Sequence, residues 1–150
     1  MLMMLDRITG YWPEGGAARL GRLRAEKDVD PGEWFFRAHF FQDPVMPGSL
    51  GVEAMCQLLQ WYLIERGVGA ELPGARFEPV ALDEPLKWTY RGQIVPADRL
   101  IIVELEILEV RDRTVFAAGW LWIDGRRIYH VANLGMRVVP GDKPPDAAGP

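Results

Sequence analysis

The rhythm of apolar and polar positions changes along the chain, and each change predicts an element. Residues 2–9 are short and apolar, and the Glu14-Gly-Gly16 turn stops whatever they form. Residues 17–29 alternate loosely, with Leu20, Leu23 and Ala25 set against Arg22, Arg24 and Lys27, a period of two that predicts a strand. Residues 31–41 carry Trp34, Phe35, Phe36, Phe40 and Phe41 without a clear period and read as an aromatic loop. From Pro44 to Ile64 the only charged residue is Glu53. Pro47-Gly48-Ser49 opens this stretch, and Gly67 and Gly69 close it, predicting a helix over residues 49–66. Runs rich in Val, Ile, Leu, Trp, Thr and Tyr follow at residues 80–94, 99–110, 114–123 and 126–139. The Asp124-Gly125 pair between the last two is a strong hairpin signal.

A helix that is apolar nearly all round must be covered on every side. The economical arrangement is an antiparallel sheet curling around it, an α+β layering. At 150 residues the chain is one domain, residues 1–139, followed by a Pro- and Gly-rich, linker-like tail at 140–150. The abrupt apolar start, Met-Leu-Met-Met-Leu, and this tail predict a domain cut from a longer polypeptide.

Composition narrows the function classes. With 49% apolar and 25% charged residues, the balance is that of a globular protein. A net charge of −4 gives no support for nucleic-acid binding. The single cysteine, Cys56, cannot form an internal disulfide and fits a reducing, cytoplasmic compartment. Pro44, Pro47, Glu53, Gln57 and Gln60 make residues 44–64 a poor membrane span. Two histidines and one cysteine cannot make a typical zinc site, and neither a phosphate loop nor a Gly-x-Ser-x-Gly elbow is present.

The candidate chemistry sits between His39 and Glu53. Burying a carboxylate beside Val52, Ala54, Met55, Leu58 and Leu59 costs free energy unless it is paired or protonated. Glu53, Gln57 and Gln60 share one helix stripe, with Gln57 placed to bond the Glu53 carboxyl and fix its rotamer. A solvated glutamate on an exposed helix edge is the alternative. Met46-Pro-Gly48 restricts the backbone ahead of the helix, and the Gly48 N–H sits where free donors favour developing negative charge. A base, a neutral acid and an oxyanion donor are the parts needed for proton abstraction next to a carbonyl. Cys56 reads as inert packing, and Trp34 or Trp61 could line an acyl pocket.

Together these residues resemble the FabA-like β-hydroxyacyl-ACP dehydratases of the hotdog fold. The resemblance rests on Met1-Leu-Met-Met-Leu-Asp-Arg7, Trp34-Phe-Phe-x-x-His-Phe40, Asp43-Pro-Val-Met-Pro-Gly48, Ala54-Met55 with Gln57-Leu58, and Asp124-Gly-Arg with Ile128-Tyr129. With Gly10-Tyr-Trp-Pro-Glu-Gly-Gly16 added, it looks most like the dehydratase domains of polyunsaturated-fatty-acid and related polyketide-type synthases.

The resemblance implies a dimer or double hotdog in which His39 of one hotdog faces the acidic residue of the other. His39 would remove the C2 proton of a 3-hydroxyacyl thioester, Glu53 would protonate the departing hydroxyl, and the Gly48 N–H would hold the thioester carbonyl. Phe40, Cys56, Trp34 and Trp61 would line the substrate tunnel. The acyl chain would ride on the phosphopantetheine arm of an acyl carrier protein, with no metal or other cofactor. An acidic carrier needs a basic landing site, for which Arg111, Arg113, Arg126, Arg127 and Arg137 are candidates, with ordinary solvated charges as the alternative. The isomerising relatives carry aspartate and tryptophan where this chain has Glu53 and Cys56, which points to dehydration without isomerisation. A hotdog thioesterase and a non-catalytic half of a pseudodimer are the rival readings.

Overall fold

The computed structural model describes residues 2–141 apart from 79 and 82, so most of the linker-like tail lies outside the described residues. Its elements, in chain order, are β1 (Arg7–Trp12), β2 (Arg22–Asp28), α1 (Trp34–Ala38), α2 (Gly48–Glu65), β3 (Arg76–Phe77), β4 (Lys87–Tyr90), β5 (Leu100–Arg111), β6 (Thr114–Ile123) and β7 (Arg126–Val139). The strands form one curled antiparallel sheet in the order β1-β2-β5-β6-β7, with β3 and β4 both paired to β7.

Alternation decides which side of each strand faces the helix. In β5, Ile101, Val103, Leu105 and Ile107 are buried while Ile102, Glu104 and Glu106 lie on the other face. These inward residues meet Ala54, Met55, Leu58, Leu59, Tyr62 and Leu63 of α2 in one core. Full burial of such a side chain is worth about 1.5–3 kcal/mol. The β6–β7 turn is the expected Asp-Gly pair, with Asp124 at φ 47° and Gly125 at φ 82°, the left-handed pair that a two-residue hairpin of this kind requires.

Three expectations are corrected. The aromatic loop contains the short helix α1, which buries Phe35 and Phe36 and leaves Trp34 outside. Among the described residues of the run at 80–94, only β4 is a strand. Lys27 belongs with the inward positions, 6% exposed beside Leu23 and Ala25 on the same face of β2.

The sheet also covers less of α2 than expected. It forms a half-barrel: Val52, Glu53, Gln57, Gln60 and Trp61 remain half-buried and Ile64 is 68% exposed. One flank of the helix is open.

Candidate active site

His39 is held from three directions. It caps the C-terminal end of α1 in an extended conformation, its N–H donating to the Phe35 carbonyl at 2.9 Å. Its own carbonyl accepts the Val45 N–H at 2.8 Å, closing a turn in which Phe40 and Asp43 exchange backbone hydrogen bonds. The peptide joining His39 to Phe40 is cis. The imidazole Nδ1 lies 3.1 Å from the Val45 carbonyl oxygen. A carbonyl only accepts, so Nδ1 carries the hydrogen, and the neutral ring keeps its lone pair on Nε2. The Phe40 ring lies against the imidazole with centroids 3.8 Å apart.

The base of this loop is tied to the sheet. Lys27 Nζ lies 2.9 Å from Glu33 Oε1, immediately before α1, and 3.8 Å from Asp6 Oδ1. The inward lysine therefore anchors the segment that leads to His39.

Helix α2 follows after Met46 donates to the Ile94 carbonyl at 2.9 Å. Pro47 stands at its N-cap without a side-chain cap hydrogen bond, and the first turn has no acidic residue. Gly48 is the first helical residue, so its N–H cannot be satisfied within the helix. A Cβ there would sit 3.1 Å from the Trp88 ring and 3.4 Å from Tyr90. At Gly51, a Cβ would run into the Tyr129 ring. Trp88, Tyr90 and Tyr129 pack edge to face, with centroids 5.0–5.8 Å apart, and wall the start of the helix. Burial, and secondarily Tyr90, hold the Tyr129 hydroxyl well above the usual tyrosine range. Sequence reading missed this wall, although Trp88 and Tyr90 alternate with Thr89 in a run it had assigned to strand.

Glu53 is half-buried rather than enclosed by its own chain. Gln57 Nε2 donates to Glu53 Oε1 at 2.9 Å, as the helical spacing predicts. Cys56 is buried, and burial helped by neighbouring Glu53 pushes its thiol up to about 12. Trp61 packs edge-on to Tyr11, and Trp34 against Phe35. His39 and Glu53 thus make their polar contacts with different partners, Val45 and Gln57.

Of the five arginines proposed as a carrier surface, Arg111 bonds Glu84 and Glu109, and Arg137 bonds Glu78, Asp83 and Thr114. Arg113 lies 3.9 Å from Glu71. Arg127 lies over the Trp122 ring at 5.8 Å, and neither it nor Arg126 has an ion-pair partner among the described residues. Among the described residues, no group of three His, Cys, Asp or Glu could hold a metal ion, and no helix is long and apolar enough to cross a membrane.

The family model for the FabA-like domain matches residues 1–132. The chain is 34% identical over 142 residues to one component of the polyunsaturated fatty acid synthase of Thraustochytrium sp.. That match takes in 92% of the chain and 9% of the relative, so the chain spans about a tenth of that relative's length. A probable thioesterase from Bartonella henselae superposes with a TM-score of 0.57 at 10% identity, covering 78% of this chain and 90% of that one. The F36A mutant of the fluoroacetyl-CoA-specific thioesterase FlK gives a TM-score of 0.54 at 16% identity, covering 79% and 84%. At these identities the two structures speak for the hotdog fold alone. The half-barrel around α2 and the family match over residues 1–132 agree: this chain is a hotdog domain and belongs to the FabA-like family.

Proposed function

We propose that the chain dehydrates 3-hydroxyacyl thioesters carried on the phosphopantetheine arm of an acyl carrier protein, giving trans-2-enoyl thioesters. The observation that carries this reading is the Nδ1–H···O=C bond from His39 to Val45, which turns the Nε2 lone pair into the available base. His39 Nε2 takes the C2 proton. The electron pair forms the C2–C3 double bond as the 3-hydroxyl leaves, and Glu53 gives that hydroxyl a proton so that it departs as water. The Gly48 N–H, free of intrahelical partners, stabilises charge developing on the thioester oxygen. The reaction is an elimination and calls for no redox group. Glu53 and Cys56, where isomerising relatives carry aspartate and tryptophan, favour release of the 2-enoyl product without a double-bond shift.

The site is completed by a second hotdog, either another copy of this chain or a different domain. Two observations support this. One flank of α2 stays open, with Val52, Glu53, Gln57, Gln60 and Trp61 half-buried along it. Along the segment that carries His39, Trp34, Phe40 and Phe41 present large apolar side chains to the outside, Phe41 at 90% exposure. Phe40, Trp34, Cys56 and Trp61 then line or back the acyl channel, and Arg126 and Arg127 provide unpaired charge for an acidic carrier.

The test is incubation with a 3-hydroxyacyl-pantetheine thioester and mass spectrometry of the acyl group. The expected product has lost one water and is still a thioester, with Glu53→Gln losing most of the activity. Release of the free acid would make the chain a thioesterase instead.

A further inference from the structure

One amide joins the amino-terminal segment to the acidic residue. The Met4 N–H donates to Gln57 Oε1 at 2.9 Å, and Gln57 Nε2 donates to the Leu2 carbonyl at 3.0 Å and to Glu53 Oε1 at 2.9 Å. A backbone N–H only donates and a backbone carbonyl only accepts. Met4 and Leu2 therefore leave the Gln57 amide a single orientation, oxygen toward Met4 and nitrogen toward Leu2 and Glu53. Oε1 accepts that bond best as the carbonyl-type oxygen, so the bond favours Oε2 as the hydroxyl oxygen whenever Glu53 is neutral.

We propose that residues 2–4 are a positioning strap for the acid of the active site. The strap orients Gln57, and Gln57 engages Oε1 of Glu53 and leaves Oε2 as the oxygen that delivers the proton. Met4, 1% exposed, anchors the strap in the core, while Leu2 and Met3 are largely outside and contribute through the backbone. The inference rests on the dehydratase reading and adds to it residues that act on the acid through Gln57.

The test compares three variants of the chain: deletion of Met1 and Leu2, Gln57→Leu, and both together. The short deletion keeps the Met4 anchor, and thermal melts verify folding. With a 3-hydroxyacyl-pantetheine thioester, the deletion and Gln57→Leu are each expected to lower kcat by about tenfold, the effect of one hydrogen bond of ordinary strength, with KM within about twofold. In the Gln57→Leu background the deletion should cost less than about twofold more, because the strap acts through Gln57. Unchanged kcat in the deletion variant, an effect confined to KM, or fully multiplicative losses would overturn the proposal. A readout without substrate separates it from the function itself. Hydrogen exchange of the Gln57 side-chain amide, followed by nitrogen-15 NMR, should be slow in the intact chain and accelerate on deletion. Equal exchange in both would refute the strap even in an active enzyme. An intact chain that dehydrates nothing would refute the dehydratase reading, and the exchange result would still decide the strap.

Discussion

The Val45 carbonyl oxygen lies 3.1 Å from His39 Nδ1, so a main-chain atom six residues downstream fixes which imidazole nitrogen is basic. A histidine whose tautomer is set this way is prepared to accept a proton rather than to hold one in reserve. His39→Ala should reduce turnover of a 3-hydroxyacyl-pantetheine thioester by at least about a hundredfold, the usual range for a lost general base. Circular dichroism and thermal melting should be nearly unchanged, because the ring is only half-buried. Wild-type turnover in this variant would remove His39 from the mechanism.

The Lys27–Glu33 pair anchors the segment before α1. Removing Glu33 leaves a lysine 7% exposed at its side chain with Asp6, at 3.8 Å, as its remaining ion-pair partner among the described residues. Glu33→Ala is expected to destabilise the fold by about 1–3 kcal/mol, less than a fully buried pair because Glu33 itself reaches solvent. Lys27→Met, which fills the same space without a charge, should cost under about 1 kcal/mol. Urea unfolding of the two variants checks this, and equal stability for Glu33→Ala and the parent would contradict it.

Cys56 gives a pH signature. Burial lifts its thiol from the usual value near 9.0 to about 12 in the folded chain. Native protein should therefore resist iodoacetamide at pH 8 and react only once unfolded. Between about 9 and about 12 the unfolded chain releases a proton that the folded chain keeps, so this contribution to stability falls as pH rises through that window. Rapid alkylation of the folded chain would show that the thiol is not sequestered.

Much of the fold was legible because its signals are local. Pro47-Gly48 punctuates the helix within one residue of its true start, and Asp124-Gly125 marks a turn that needs two left-handed residues. The misreadings have tertiary causes. The five-residue helix α1 is too short to show a period and exists because Phe35 and Phe36 find the core. Lys27 looked solvent-facing by its charge, yet its register with Leu23 and Ala25 sends it inward, where Glu33 and Asp6 receive it.

At the candidate site, the Gln57–Glu53 bond was legible from helical spacing. The Val45 carbonyl, the Trp88–Tyr90–Tyr129 wall and the Leu2–Gln57–Met4 bonds were not. They are main-chain or cross-element contacts that only the assembled sheet brings together.

The central claim, that His39 and Glu53 form an acid–base site shared between two hotdogs, is tested most directly by complementation. His39→Ala and Glu53→Gln chains, each inactive alone, are refolded together and the mixed dimers isolated through two different tags. A mixed dimer holds one site with His39 from one chain and Glu53 from the other, so purified mixed dimers should recover about half of wild-type turnover, as expected for a two-fold pair. Mixed dimers that form but stay as inactive as either parent would contradict a site built across the interface.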